Sequence, residues 1–299
     1  MIRHFDEVLE VARQVGGVRI AVANGENDEV LEAVEMARRE GIAEAILVGD
    51  VEKTKERMRV HGIEESGYTF EEAKTLEECA QKAVRLVHDG KAQVLMKGLV
   101  DTSILLREVL NKEYGLRASS LLSHVAVMEV PRYHKLLTVT DAAMNINPDV
   151  FQKAQILRNA LQVTRALRIE KAKVAVLAAK EKTDDKMPCT LDAKKLSEMS
   201  FAGAVVAGPL ALDNAVSKES ARIKGLTSVV AGDADILLVP DIEAGNILYK
   251  TLNFLTDSKG AGVLVGAASP IVLTSRADDE PTKLHSIALA VLMSQVKED

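Results

Sequence analysis

The residues of this sequence that could do chemistry stand where short apolar runs end. Lys97 and Gly98 follow one such run and precede a predicted helix whose cap would be Thr102 or Ser103. A lysine at the end of a buried strand acts as a point charge, and the N–H groups at a helix N-terminus attract anions. Lys97 could therefore bind an anion. The alternative is a lysine whose aliphatic stem lies along the apolar surface, beside a routine helix cap.

A second group, Ser275, Arg276 and Asp278, follows the last apolar run. Arginine holds phosphate oxygens with a planar fork, and a neighbouring serine hydroxyl can donate to a developing oxyanion. A carboxylate close by could accept a proton. Taken alone the group is a weak signal, because acidic residues before a helix are also normal capping.

Two further groups are less specific. Asp141 follows an apolar run and precedes Asn145, and its carboxylate could orient a cation or another side chain, or form an Asx-turn. Lys186 and Thr190 lie in a charged loop and could contact a phosphate, although a solvated loop is the favoured interpretation. Cys189 has no activating base nearby in the sequence, so a free structural thiol is predicted.

Residues 235–250 are predicted to form a buried strand that leads directly into a helix. Pro240 ends the strand because it cannot donate a ladder bond, and Asp241 can cap the helix. Gly245 and Asn246 stand in the first turn, where glycine costs about 1 kcal/mol relative to alanine. The presence of these two residues is explained if a ligand approaches the helix N-terminus. An ordinary junction with a tolerated glycine is the alternative.

Alternating strands and helices must position these residues. Apolar runs such as 18–23 alternate with helical spacings, and the alternation restarts near Val174. This rhythm predicts mainly parallel sheets with helices on both faces, whose ligands bind beyond the carboxyl ends of the strands. Residues 123–130 and 136–139 interrupt it as two consecutive strands joined as a hairpin. A long helix begins near Asp149, and we place a domain boundary there.

The composition restricts the classes of function. The 299 residues are 47% hydrophobic but only 3% aromatic, which argues against surfaces that stack nucleic-acid bases. The net charge of −6 gives no general attraction to nucleic acid or anionic membranes. No apolar run approaches the roughly 18 residues of a membrane span, and the charged N-terminal residues are unlike a signal peptide. A cytoplasmic protein with reduced cysteines is expected.

Several well-known motifs are absent from the sequence. It contains no Walker-type loop, HExxH, zinc-ligand spacing, GxGxxG or GxSxG elbow. What remains is an α/β protein with several strand-end anion sites and no built-in redox or metal chemistry.

Taken together, the strand-end groups resemble the phosphate acetyl/butyryltransferase family over nearly the whole chain. The residues that carry the resemblance are Met96-Lys97-Gly98 with Asp101-Thr102, residues 140–145 with Asn147-Pro148, Lys186-Met187-Pro188, residues 207–215, residues 239–250 and Ser275-Arg276. The last two blocks are the most specific. The sequence of residues 186–188 and 208–213 is more similar to the butyryl branch than to the acetyl branch.

The resemblance implies two α/β/α three-layer domains with mainly parallel sheets, isocitrate-dehydrogenase-like, with the active site in the interdomain cleft. The last helix of the family returns to the first domain, so the predicted domains are 1–148 with 269–299, and 149–268. A homodimer is also implied. The implied reaction converts an acyl-CoA and phosphate reversibly to an acyl phosphate and CoA, most like the butyryl branch. CoA is then a substrate, and no permanently bound cofactor or metal is expected.

Carried over by residue, the resemblance assigns Arg276 to holding the phosphate and Ser275 to the oxyanion. Thr282 stands where the acetyl branch has an aspartate, and threonine cannot be the base, so Asp278 is preferred over Asp279. The remaining contacts with phosphate or CoA are assigned to Lys97, Gly98, Thr102, Asp141, Asn145, Lys186, Glu243, Gly245, Asn246, Lys250 and Gly266.

Three other functions remain open. The acyl group could be acetyl. An NAD-linked decarboxylating dehydrogenase of the related fold would need a metal-binding aspartate cluster and a nucleotide loop, which the sequence lacks. A non-catalytic protein that binds CoA or an acyl phosphate is supported only by Thr282.

Overall fold

The computed structural model describes residues 1–274 and 278–296. The helices are α1 (Phe5–Val15), α2 (Asp28–Arg39), α3 (Val51–Val60), α4 (Leu76–His88), α5 (Thr102–Val109), α6 (Val150–Ala166), α7 (Pro188–Glu198), α8 (Leu212–Val216), α9 (Lys218–Ile223), α10 (Ile242–Leu255) and α11 (Glu280–Met293). The strands are β1 (Arg19–Ala23), β2 (Glu44–Gly49), β3 (Thr69–Glu72), β4 (Val94–Lys97), β5 (Ser123–Glu129), β6 (Leu137–Thr140), β7 (Ala172–Leu177), β8 (Ala204–Leu210), β9 (Ile236–Leu238), β10 (Lys259–Val265) and β11 (Ile271–Val272).

The chain divides into two compact units, each of which is discontinuous. Unit A comprises residues 5–120 and 261–299, and unit B comprises residues 1–4 and 121–260. Both contain helices and a mostly parallel sheet. The predicted α/β class with mainly parallel sheets is therefore confirmed.

The predicted domain boundary after residue 148 lies later in the chain than the division between these units. In the structure the hairpin of β5 and β6 groups with unit B, because β6 pairs in parallel with β9. The predicted boundary stays a prediction.

The sheet of unit A has the strand order β3-β2-β1-β4-β11-β10. All neighbouring pairs are parallel except β10 with β11. In the centre, Val22 of β1 faces Leu47 of β2 and Met96 of β4. The residues of β4 are all buried, as expected for a strand covered by helices on both faces.

Helix α11 is the most buried helix of unit A. Every residue from Thr282 to Met293 is buried, and the helix packs against α1 and α2. A mostly apolar sequence is expected of a helix in such a position, and α11 buries Lys283, His285 and Ser286 among its apolar residues. Phe5 of α1 stacks on the His285 ring of α11, with the ring centroids 4.2 Å apart.

A buried carboxylate joins α2 to the segment before β3. Glu35 accepts hydrogen bonds from Arg38 Nε at 2.8 Å, Arg39 Nε at 2.7 Å and Tyr68 Oη at 2.7 Å. The bond from Arg38 is the largest cause of the low pKa of Glu35, which lies at about 2 although burial opposes the shift.

The sheet of unit B has the order β5-β6-β9-β7-β8. Strands β5 and β6 pair antiparallel, which confirms the predicted hairpin, and the other neighbouring pairs are parallel. Asp149 begins α6 with a capping box. Its side chain accepts hydrogen bonds from N–H groups of the first turn, and the Asp149 N–H donates to the side-chain oxygen of Gln152. The predicted start of this helix is therefore confirmed.

A buried lysine fixes the start of β6. Lys135 pairs with Asp235 at 2.6 Å and with Asp233 at 3.2 Å. Asp235 in turn accepts from the Lys173 N–H at 2.7 Å. The hairpin is thus attached to the neighbouring strands by charged groups whose partners lie about 100 residues away in sequence.

Among the described residues, no helix has both the length and the apolar content needed to cross a bilayer.

Candidate functional site

Gly98 occupies a position in unit A that allows no side chain. A Cβ at this residue would lie 1.9 Å from the Asn24 carbonyl oxygen and 2.6 Å from that of Ala23. The Gly98 N–H donates to the Ala23 carbonyl oxygen at 3.0 Å. The turn after β4 is therefore in direct backbone contact with the turn after β1.

Asn24 supports the same pair of turns, and sequence reasoning missed its role. Its backbone is left-handed, with φ 64°. Its amide nitrogen donates to the Leu99 carbonyl at 3.1 Å, and its amide oxygen accepts from the Glu26 N–H at 3.1 Å. Asparagine tolerates this conformation better than most residues. The Asn24-Gly25 pair was a visible turn signal but gave no indication of a partner 75 residues away.

Lys97 and Thr102 lie beside this double turn. Lys97 is the buried last residue of β4, and its ammonium lies 3.4 Å from the Gly98 carbonyl oxygen. Thr102 is the first residue of α5, whose N-cap is Asp101. The predicted cap at Thr102 or Ser103 was therefore wrong by at least one residue. Lys97 and the N-terminus of α5 lie within five residues of each other along the chain, and their binding of an anion stays a prediction.

The segment before α11 holds the predicted base. Asp278 is buried, and its carbonyl oxygen accepts a hydrogen bond from Lys283 Nζ. Asp279 caps α11, because its carboxylate accepts from the Thr282 N–H at 2.9 Å. Burial raises the pKa of Asp279, but the hydrogen bonds from Thr282 together with the charges of His285 and Lys283 outweigh burial and leave this pKa below its ordinary value.

Two of the three predicted catalytic residues, Ser275 and Arg276, lie outside the residues that the structure describes. Gly266, a predicted contact with phosphate or CoA, follows β10 with φ 99°, a backbone conformation that favours glycine. Its carbonyl oxygen accepts from the Ser119 N–H at 2.9 Å.

In unit B, Asp141 organises the loop after β6. Its Oδ1 accepts from the N–H groups of Ala143 and Met144 at 2.9 and 3.0 Å. Its Oδ2 accepts from the backbone N–H of Asn145 at 3.3 Å and from the side-chain amide of Asn145 at 2.6 Å. Of the alternatives for Asp141, the Asx-turn and the orientation of another side chain are therefore both present.

The first turn of α10 packs against this loop. A Cβ at Gly245 would lie 2.6 Å from the Asp141 carbonyl oxygen. The Asn246 side chain donates to the Ala142 carbonyl at 3.1 Å, and Asp241 caps the helix through the Ala244 N–H at 2.8 Å. The loop thus provides a packing reason for the glycine and the asparagine. Their contact with a ligand stays a prediction.

The other predicted contact residues of unit B lie on its surface. Glu243 and Lys250 are exposed on α10, and Lys186 is exposed in the loop before α7. Thr190 holds that loop, since its hydroxyl accepts from the Asp184 N–H at 2.9 Å and donates to the Met187 carbonyl at 2.8 Å. Lys186 is therefore presented by an ordered loop, whereas Thr190 has a structural role.

His124 was missed in the sequence analysis, because a single histidine within a predicted strand belongs to no recognisable motif. It is 5% exposed, and its ring meets that of Tyr249 edge-on at 6.1 Å. Burial lowers the pKa of His124, and the charge of Asp141 opposes this shift. The imidazole is therefore neutral near pH 7.

The free thiol predicted at Cys189 is present, half-buried at the start of α7. Burial is the largest cause of its raised pKa, so the thiol stays protonated near neutral pH. It is therefore a poor nucleophile, as expected for a structural thiol.

Comparison with known proteins gives one consistent result. The family model described as "Phosphate acetyl/butaryl transferase" matches residues 4–67 and 59–291. A phosphate butyryltransferase of Clostridium acetobutylicum is 47% identical over 298 residues, covering 98% of this chain and 99% of the relative. A phosphate acetyltransferase of Thermotoga maritima is 41% identical over 297 residues, covering 97% of this chain and 99% of the relative.

A solved structure supports the same similarity. The crystal structure of a branched-chain phosphotransacylase from Enterococcus faecalis V583 matches with a TM-score of 0.84 and 35% identity, covering 93% of this chain and 99% of that one. The similarity in sequence thus extends to the arrangement of helices and strands along the chain.

Proposed function

The chain belongs to the phosphate acetyl/butyryltransferase family, and from this membership we propose that it transfers a short-chain acyl group between CoA and inorganic phosphate. The reaction is acyl-CoA + phosphate ⇌ acyl phosphate + CoA, with a butyryl or branched acyl group. The observation that carries the proposal is the 47% identity to a phosphate butyryltransferase along 98% of the chain. CoA is a substrate, and the reaction as written needs no permanently bound cofactor.

The chemistry places clear demands on the site. A free thiol has a pKa of about 8.5, so a base or a cationic setting must favour the thiolate near neutral pH. The thiolate of CoA attacks the carbonyl carbon of the acyl phosphate, the C–O bond to phosphate breaks, and phosphate leaves as an anion. The reverse reaction uses the same groups. A phosphate-binding cation, an oxyanion donor and a carboxylate base meet these demands.

We assign these roles to three residues of unit A. Arg276 holds the phosphate, Ser275 donates to the carbonyl oxygen as negative charge develops, and Asp278 accepts the thiol proton. The preference for Asp278 over Asp279 gains support from the structure, because the Asp279 carboxylate is occupied in capping α11. Thr282 has no titratable group and cannot serve as the base.

The resemblance to the family supports the remaining proposed contacts with phosphate or CoA. In unit A they are Lys97, Gly98, Thr102 and Gly266, and in unit B they are Asp141, Asn145, Lys186, Glu243, Gly245, Asn246 and Lys250. Asp141 acts by ordering the loop that meets α10, since its carboxylate oxygens already accept from protein N–H groups.

The first experiment is release of CoA from butyryl-CoA in phosphate buffer, followed with a thiol reagent. The wild type should turn over, and Arg276→Ala should lower kcat/KM by about 100-fold, the usual effect of removing one well-placed group that stabilises charge. Arg222→Ala is the matched control, because Arg222 is an exposed arginine paired with Glu219. A wild type that is silent with butyryl-, branched-chain and acetyl-CoA would refute the proposed activity.

The alternative acyl group, acetyl, is favoured by one observation, the 41% identity to a phosphate acetyltransferase. Comparison of kcat/KM for acetyl-CoA and butyryl-CoA decides between them. A higher value for acetyl-CoA would overturn the butyryl assignment and leave the reaction type intact.

We also propose that the protein is a cytoplasmic homodimer. The support is an apolar surface on α10, where Ile247, Phe254 and Leu255 are 67%, 59% and 79% exposed. Large apolar side chains grouped on one helix mark interaction surfaces. Light scattering after size exclusion should give twice the mass of the 32.3 kDa chain, and a monomer at micromolar concentration would contradict this assignment.

A further inference from the structure

Lys283 is a buried cation that forms no ion pair with a carboxylate in the described part of the chain. It is 2% exposed in the first turns of α11. Its ammonium donates to the carbonyl oxygen of Asp278. Within residues 1–274 and 278–296, no carboxylate forms an ion pair with Lys283. A protonated lysine has three N–H donors, so one carbonyl leaves most of its capacity unused.

The position of Lys283 on the helix makes this arrangement costly. The N-terminus of a helix carries a partial positive charge, which disfavours a cation there. Side chains of helical residues point back towards the N-terminus, and the bond to Asp278 shows that Lys283 does so. Burial of an unpaired ammonium adds a further desolvation cost. Lys283 is therefore a buried positive charge near a helix N-terminus, and an anion beside it would stabilise it.

The carboxylate of Asp279, four residues before Lys283, is committed to capping α11. Asp279 is close enough for the charge of Lys283 to lower its pKa slightly, yet its carboxylate accepts from the Thr282 N–H. The backbone at this point is held firmly, because Ser286 donates to the Thr282 carbonyl at 2.7 Å and accepts from the Gly262 N–H at 2.9 Å. The helix turn that carries Lys283 is thus attached to β10 by hydrogen bonds.

We propose that Lys283 binds an oxygen of the phosphate group in this reaction, either of inorganic phosphate or of the acyl phosphate. The proposal rests on the proposed function for its substrate, and on the buried ammonium for its residue. Lysine suits this role as a compact point charge with several donors. Lys283 would then neutralise the phosphate as it leaves the carbonyl carbon, and the bound phosphate would complete the coordination of the ammonium.

The test compares Lys283→Met and Lys283→Gln with the wild type, and uses Lys135→Met as the matched control. Lys135 is also a buried lysine, but it is paired with Asp235 at 2.6 Å. We expect the KM for phosphate to rise at least tenfold in both Lys283 variants, while the KM for butyryl-CoA changes less than twofold. Lys283→Arg keeps the charge, so its KM for phosphate should lie between that of the wild type and those of the other two Lys283 variants. Lys135→Met should lose thermal stability without a change in either KM.

A second measurement separates this proposal from the proposed activity. Inorganic phosphate should raise the melting temperature of the wild type but not that of Lys283→Gln, whereas CoA should raise both. This readout needs no turnover, so it tests Lys283 even if the acyl substrate is wrong. A lower melting temperature with unchanged phosphate affinity would overturn the proposal and leave a structural lysine. A rise in the KM for butyryl-CoA alone would also overturn it, by assigning the ammonium to the phosphates of CoA.

Discussion

Replacement of Gly98 by alanine tests whether the contact between the two turns positions the proposed site. The added Cβ would stand 1.9 Å from the Asn24 carbonyl oxygen and 2.6 Å from that of Ala23. Both obstacles are backbone atoms, so no side chain can rotate away. The turns must separate by about 1 Å, and misplacement of this size can cost about 100-fold in rate even away from the reacting atoms.

The expected magnitude follows from this displacement. Overpacking typically costs about 1–3 kcal/mol of stability, and the hydrogen bond from Gly98 to Ala23 would be strained as well. The variant should therefore fold with a lowered melting temperature and show a drop of about 100-fold in kcat/KM for butyryl-CoA. Lys97, the neighbour of the substituted residue, would move with the turn.

Gly260→Ala is the control for this experiment. A Cβ at Gly260 would meet nothing closer than the Met128 sulfur at 3.4 Å, an ordinary contact with a flexible side chain. Both variants are assayed for CoA release and for thermal unfolding. The reasoning is refuted if Gly98→Ala retains activity within twofold of Gly260→Ala, because the backbone contact would then have no influence on the site.

Two further predictions concern buried carboxylates. Asp141→Asn places an NH₂ group, or a weaker acceptor, against the two N–H groups of Asn145, and should cost about 1–3 kcal/mol in urea unfolding together with much of the activity. Asp149→Asn should be nearly neutral because asparagine caps helices equally well, and equal losses in the two variants would contradict the role of Asp141. Glu35 has a pKa of about 2, below its ordinary value of 4.5, so its stabilising contribution is present above pH 4.5 and lost as pH falls through 2. The free energy of unfolding of the wild type should therefore fall by up to about 3 kcal/mol across that range, and that of Glu35→Gln should fall less. If the pH dependence of Glu35→Gln differs from that of the wild type no more than the pH dependence of the exposed Glu40→Gln does, this account is wrong.

The sequence was most informative where hydrophobic pattern and local capping agree. Asp149 and Gln152 form the capping box of α6, and both partners lie within four residues of each other. The alternation of buried strands and amphipathic helices likewise depends on spacing within a few turns, so it could be predicted and was confirmed. β3 was missed, because its residues 69–72 contain two glutamates and are only partly buried, which leaves no apolar run to detect.

Features that depend on distant contacts could not be predicted. Gly245 looked like a residue that makes room for a ligand, but in the structure its close neighbour is the backbone of Asp141. Spacing in sequence cannot reveal which of two approaching groups, ligand or protein, requires a glycine. The same limit applies to His124 and Lys283, whose importance depends on what surrounds them after folding.

The discontinuity of unit A has a consequence for how the chain is made. Strand β11 lies between β4 and β10, and α11 supplies much of the apolar surface that covers α1 and α2. These elements leave the ribosome after all of unit B, whose residues are synthesised before residue 261. Unit B can therefore complete its sheet during translation, while α1 and α2 keep exposed apolar faces and β4 lacks its neighbour β11 until β11 and α11 emerge. Deletion of α11 should consequently damage the first hundred residues more than those of unit B.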